Sequence, residues 1–132
     1  RLNSDLVSLF LQALAGTLHQ TKIDWSPDTA LTVVMAADGY PNHYHKGDTI
    51  EGLGQLDSDC IAFHAGTTWV NDSLQNNGGR VLGISAKADN IQAARDIVYD
   101  NIKKITWPRG YYRNDIGYRA LQHSKNKPKE SY

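Results

Sequence analysis

The sequence predicts a small α+β domain of short strands with one long helix towards its C-terminal end. Two observations carry this. Short apolar runs are punctuated by Gly, Asn, Asp and Pro, and a later segment switches to helical spacing of its apolar residues. No internal repeat or low-complexity tract interrupts the pattern.

The elements follow in order. Ser4 caps a first helix, with Asp5 at the positive end of its dipole. Leu6, Leu9, Phe10, Ala13 and Leu14 recur at spacings of three and four. Val7 and Leu11 widen this stripe, and Gly16 stops it. The stripe is expected to pack partly within the chain and partly against something else. Residues 17–28 read as a polar connection containing Trp25 and Pro27. Residues 29–37 form a strand, broken by Asp38-Gly39 and Pro41-Asn42. Lys46 lies in a second turn before a short strand at Thr49 and Ile50. Strands at 61–64 and 69–70 flank Ala65-Gly66-Thr67. Asn71-Asp72 and Asn76-Asn77-Gly78-Gly79 bracket Leu74, which predicts a hairpin. From Arg80 to Ala86 the chain alternates, with Leu82, Ile84 and Ala86 on one face. Asp89 caps the long helix, which runs to about Lys104 with a stripe of Ile91, Ala94, Ile97, Val98 and Ile102. Trp107 to Gly110 is a turn, and Tyr111 to Arg113 a last short strand.

A length of 132 residues with 40% hydrophobic residues suits a single core. Lys+Arg and Asp+Glu are both 14, so no general field attracts nucleic acid or a membrane surface. There is no apolar run of membrane-spanning length and no signal peptide pattern. The one cysteine, Cys60, excludes an intramolecular disulfide and points to the cytoplasm. Its place at the head of a strand predicts a buried thiol and not a nucleophile. Lys125, Lys127 and Lys129 belong to a solvated tail. Arg1 in the first position points to a fragment or a cleaved chain.

Four stretches carry more than fold: Gly39-Tyr40-Pro41 leading to Lys46-Gly47-Asp48, Phe63 to Thr67, Gly78 to Leu82, and Tyr112 to Gly117. In this order, from Arg1 to about Ala120, the chain resembles the C-terminal domain of phosphoribosylamine–glycine ligases, in the ATP-grasp superfamily of purine biosynthesis. The resemblance implies a small antiparallel sheet or partial barrel beside a C-terminal helix, a rudimentary single-hybrid-like motif. It divides the chain into residues 1–28, the end of the ATP-grasp domain; 29–120, a C-terminal substrate-pocket domain; and 121–132, a flexible tail. The implied reaction joins phosphoribosylamine and glycine, converting ATP to ADP and phosphate through a glycyl phosphate.

No position here matches the family's metal-holding glutamate and asparagine, which lie upstream of the matched segment. The resemblance thus implies no cofactor in this chain, with ATP and Mg or Mn held by the parent enzyme, and an isolated chain without activity. The implied partners are the ATP-grasp and N-terminal parts of the same enzyme and the ribonucleotide, with no nucleic acid and no membrane. A non-catalytic binding module that keeps the fold is the alternative.

The residues themselves offer no Walker-type loop and no acidic cluster with metal-ligand spacing. Only His43 and His45 lie close together, without a third ligand, so they read as a solvated turn. The site candidates are anion-holding groups. Arg80 follows Gly78 and Gly79, which permit close backbone approach, and its guanidinium can grip a phosphate bidentately. Thr67 after Gly66 offers a hydroxyl in a roomy bend, and Lys46 a compact charge. Their competing readings are a hairpin with a surface arginine, a tight bend between strands, and an exposed turn lysine. Arg113 and Asp115 are spaced to pair and pin the C-terminal segment.

Overall fold

A computed structural model describes residues 1–126. Four antiparallel strands form the main sheet in the order β2-β5-β1-β6: β1 is Thr29–Ala37, β2 Cys60–His64, β5 Arg80–Ala88 and β6 Gly110–Tyr111. β3 (Thr67–Val70) and β4 (Ser73–Asn76) make a separate hairpin. Its turn residues Asn71 and Asp72 both have positive φ, the conformation a two-residue hairpin turn of this hand requires. The predicted α+β class and antiparallel sheet are what the chain adopts.

One face of the sheet is the core. Along β1, Leu31, Val33, Met35 and Ala37 are buried while Ala30, Thr32 and Val34 are exposed, the period-two alternation of a sheet covered on one side. Leu82, Ile84 and Ala86 of β5 share the covered face, as their alternation predicts. Helix α2 (Ile91–Ile102) lies over it with Ala94, Val98 and Ile102 buried. Each fully buried Val or Ile contributes about 1.5–3 kcal/mol through removal from water. Cys60 is buried in this core as expected, and burial pushes its thiol pKa up, Asp59 and Asp57 adding to the effect.

The β1–β5 ladder contains one irregularity. Met35 pairs with Leu82 but Ala36 pairs with Arg80, so Val81 is an extra residue on β5. This is a β-bulge, and it reverses the alternation beyond it. Val81 and its neighbour Leu82 are both buried, while Arg80 leaves the core side.

Several boundaries differ from expectation, each for a local reason. Helix α1 (Leu6–Leu14) is capped by Asp5, whose carboxylate accepts from the Ser8 N–H at 2.7 Å. Ser4 does not cap it: the Ser4 hydroxyl accepts from the Asp24 N–H at 2.8 Å, tying the N-terminal residues to the segment around the Leu2–Trp25 bridge. Asn90, not Asp89, caps α2 by accepting from the Ala93 N–H at 3.0 Å, and the helix ends at Ile102. Thr49 and Ile50 make no strand; Thr49 forms an isolated bridge to Gln75, and Glu51 one to Thr106. The last strand shrinks to Gly110–Tyr111. A third helix, α3 (Tyr118–Asn126), carries six of the residues expected in the tail, and positions 127–132, with Lys127 and Lys129, lie outside the described residues.

The apolar stripe of α1 is largely open. Leu9 is buried, but Leu6, Val7, Phe10, Leu11 and Leu14 are exposed, Leu14 to 87%. Five large apolar side chains on nine helical residues form a contiguous patch of the kind that marks an interaction surface.

Candidate functional site

The uncovered side of the sheet ends in a cleft of about 260 Å3. Thr32, Val34 and Ala36 of β1 make its floor, and Tyr40, Arg80, Tyr111 and Arg113 rise around it. Arg80 reaches this cleft because of the bulge. By simple alternation from Leu82 it would face α2; the extra Val81 sets it opposite Ala36, on the open side.

The cleft is cationic. Arg113 is held by a bidentate pair with Asp115, at 2.8 Å from Nε and 2.6 Å from Nη2, as its spacing predicts. That contact draws the Asp115 carboxyl below its usual range. Arg80 has no hydrogen-bond or ion-pair partner for its guanidinium among the described residues. Arg109, by contrast, is committed to Asp48 and His45, and Arg95 to the carbonyls of Asn114 and Ile116. A free planar fork beside an arginine that is already paired suits an anion with two oxygens to offer.

The glycines beside Arg80 are there for contact. Gly66 and Gly78 lie backbone to backbone: a β-carbon on Gly66 would come within 2.7 Å of the Arg80 carbonyl oxygen and 2.8 Å of the Gly78 α-carbon. The Gly66 N–H donates to the Arg80 C=O at 3.0 Å, and the Asn77 N–H to the Gly66 C=O at 2.7 Å. The Tyr40 ring covers Gly79, so the aromatic wall of the cleft and the residue before Arg80 are packed together. Tyr40 also meets Tyr44 edge-on, ring centroids 5.9 Å apart.

Thr67 and Lys46 stand nearby by a different route. The Thr67 hydroxyl is 3.0 Å from His64 Nδ1. If Nδ1 carries the proton, the hydroxyl accepts from it and keeps its own hydrogen for a ligand; if Nδ1 is bare, the hydroxyl spends that hydrogen on the imidazole. Lys46 is exposed, in a loop fastened to the end of β4 by Asn76. The structure therefore brings Gly66, Thr67, Gly79, Arg80 and the Lys46 loop around the Asn76–Gly79 corner, and of these Arg80 lines the cleft.

Sequence reasoning missed Tyr40 as a wall of the cleft and read Asn76 only as a turn residue. The Gly39-Tyr40-Pro41 stretch stands out in the sequence, but its contact with Gly79 does not, since Gly79 lies far along the chain. Asn76 ends a strand instead, and its side chain is buried. Among the described residues no three His, Cys, Asp or Glu side chains gather to hold a metal ion. No helix among them is long and apolar enough to cross a membrane.

Comparison with known proteins matches residues 30–119 to the family model described as phosphoribosylglycinamide synthetase, C domain. A phosphoribosylamine–glycine ligase of Brucella melitensis is 45% identical over 127 residues, 95% of this chain and 30% of that protein. A relative from Arabidopsis thaliana named phosphoribosylamine–glycine ligase, chloroplastic, is 41% identical over 134 residues, 98% of this chain and 25% of its own length. The crystal structure of phosphoribosylamine–glycine ligase from Thermotoga maritima superposes with a TM-score of 0.65 at 30% identity, covering 80% of this chain and 27% of that one. The chain thus spans between a quarter and a third of the length of these relatives.

Proposed function

The chain belongs to the family of phosphoribosylglycinamide synthetase C domains, and from that premise we propose that it is the part of a phosphoribosylamine–glycine ligase that completes the ribonucleotide pocket. The full-length protein would couple the amine of phosphoribosylamine to the carboxyl of glycine, giving glycinamide ribonucleotide while ATP becomes ADP and phosphate. This chain's share is to hold the ribonucleotide. The Arg80 guanidinium takes the 5′-phosphate, with Thr67 and the backbone of Gly66 and Gly79 close by and Lys46 adding charge.

One observation carries this reading: Arg80 presents an uncommitted guanidinium to a cationic cleft from a bulge that turns it away from the core. A surface arginine on a hairpin would need no such register change. ATP and its Mg or Mn ions are assigned to the other parts of the full-length protein, and no step here runs through them. The exposed apolar face of α1 supports a chain that works inside a larger assembly over a self-contained binding module. A cytoplasmic setting, suggested by the single cysteine, is part of the proposal; the plant relative is named chloroplastic.

The test is the Michaelis constant for phosphoribosylamine in the full-length Arg80→Ala enzyme. Losing a charge-assisted hydrogen bond to phosphate costs about 1.5–3 kcal/mol, a weakening of roughly ten- to a hundred-fold. The constant for ATP should stay unchanged. Intact ribonucleotide binding with a lowered thermal midpoint would make Arg80 a hairpin residue and end the assignment.

A further inference from the structure

We propose that Asn76 is a positioning residue for the ribonucleotide site, holding Lys46 in place beside the Arg80 corner; the proposal rests on the function assigned above. Asn76 is 1% exposed, and both ends of its carboxamide are used. Oδ1 accepts from the Asp48 N–H at 2.7 Å, and Nδ2 donates to the His45 C=O at 2.7 Å. Its main chain grips the same loop: the Asn76 N–H donates to the Asp48 C=O at 3.0 Å, and its C=O accepts from the Gly47 N–H at 2.8 Å.

Those four bonds end on the residues immediately around Lys46 and leave Lys46 itself untouched. Its ammonium has no hydrogen-bond or ion-pair partner among the described residues. A backbone held from both sides with a free charge at its tip is how a ligand-binding group is preorganised. On its other side Asn76 faces Thr67 across the hairpin, and the next residue, Asn77, donates to the Gly66 C=O. One buried amide thus joins the Lys46 loop to the bend that carries Gly66 and Thr67. Closing the loop would need only the two main-chain bonds. The side chain adds a second pair of bonds, its carboxamide supplying an acceptor to the Asp48 N–H and a donor to the His45 C=O at once.

The experiment uses the full-length enzyme with Asn76→Asp, Asn76→Ser, Lys46→Ala and the Asn76→Asp/Lys46→Ala double variant. Asn76→Asp keeps the volume and the acceptor but sets a carboxylate oxygen against the His45 carbonyl. It should raise KM for phosphoribosylamine by roughly ten-fold, as should Lys46→Ala, with KM for ATP unchanged. The double variant should be no worse than Lys46→Ala alone, because Asn76 acts through Lys46. Asn76→Ser, which introduces no charge, carries the same KM test if the Asp variant does not fold. A folded Asn76 variant with wild-type KM overturns the proposal, as does a Lys46→Ala enzyme with wild-type KM or a double variant whose effects multiply. Failure of the underlying function would show separately, as Arg80→Ala leaving KM intact.

Discussion

The ring of Tyr40 lies against the α-carbon of Gly79 so closely that a β-carbon there would stand 2.9 Å from Tyr40 Cγ and overlap Cδ2 and Cε2. Glycine at this position is therefore a packing requirement. Gly79→Ala should destabilise the chain by about 1–3 kcal/mol, the usual cost of overpacking. Removing the ring should recover part of it. Urea unfolding of Gly79→Ala and Tyr40→Ala/Gly79→Ala decides the matter: a double variant no more stable than the sum of its two single losses contradicts the contact.

Acid sensitivity follows from Asp48. Its carboxyl is held below the usual carboxylate range, first by the hydrogen bond from Arg109, while burial opposes this. A depressed folded-state pKa stabilises above the unfolded value, about 3.9, and that stability disappears as pH falls through the lower folded value. The urea midpoint should be flat above about pH 5 and decline below about pH 4. Asp48→Asn should start lower and lose less on acidification. Asp5, Asp57 and Asp115 are shifted the same way, so the acid limb flattens without vanishing. An Asp48→Asn variant with the parental acid limb would show that the pair contributes nothing.

Helix α1 separates its two faces energetically. Leu9→Ala should cost about 2–5 kcal/mol as a buried truncation. Phe10→Lys, on the open face, should change the stability of this chain by less than about 0.5 kcal/mol. In the full-length enzyme the same Phe10→Lys substitution should be strongly destabilising. Equal tolerance of Phe10→Lys in both settings would argue that nothing docks on α1.

The chain by itself should neither form glycinamide ribonucleotide nor hydrolyse ATP, since it spans only about a quarter to a third of its relatives' length and ATP is assigned above to the other parts of the full-length protein. The assay is ADP release dependent on glycine and phosphoribosylamine, from preparations free of full-length enzyme. Any such release above background would refute this.

Much of the architecture is legible in the residues because it depends on short-range rules. The bounds of β1, the Asn71-Asp72 turn and the buried stripe of α2 follow from alternation, turn chemistry and helical spacing. The misassigned caps show the limit of such rules. Ser4 and Asp5 are both good capping residues, and the choice between them is made by Asp24, far along the chain. The candidate site is suggested by residue types and not by their geometry. Arg80 beside two glycines suggests an anion-binding group, but the wall formed by Tyr40 and the anchoring by Asn76 depend on tertiary neighbours. Helix α3 was missed because Tyr118 to Asn126 carries too few apolar residues for a buried stripe.

The bulge at Val81 makes the face that Arg80 presents depend on strand register as well as on residue type. Substituting Val81 by another apolar residue leaves the count between Arg80 and Leu82 unchanged, and Arg80 keeps its side of the sheet. Pairing Val81 regularly with Ala36 at the same chain length would instead set Arg80 opposite Ala37 and send the guanidinium into the layer occupied by Met35, Ile84 and Val98, where an unpaired charge cannot be accommodated. Deleting Val81 would leave Arg80 beside Leu82 and still opposite Ala36. Exchange of residue type at Val81 should therefore leave Arg80 on the open face as long as the bulge persists, and so should a chain one residue shorter at this point.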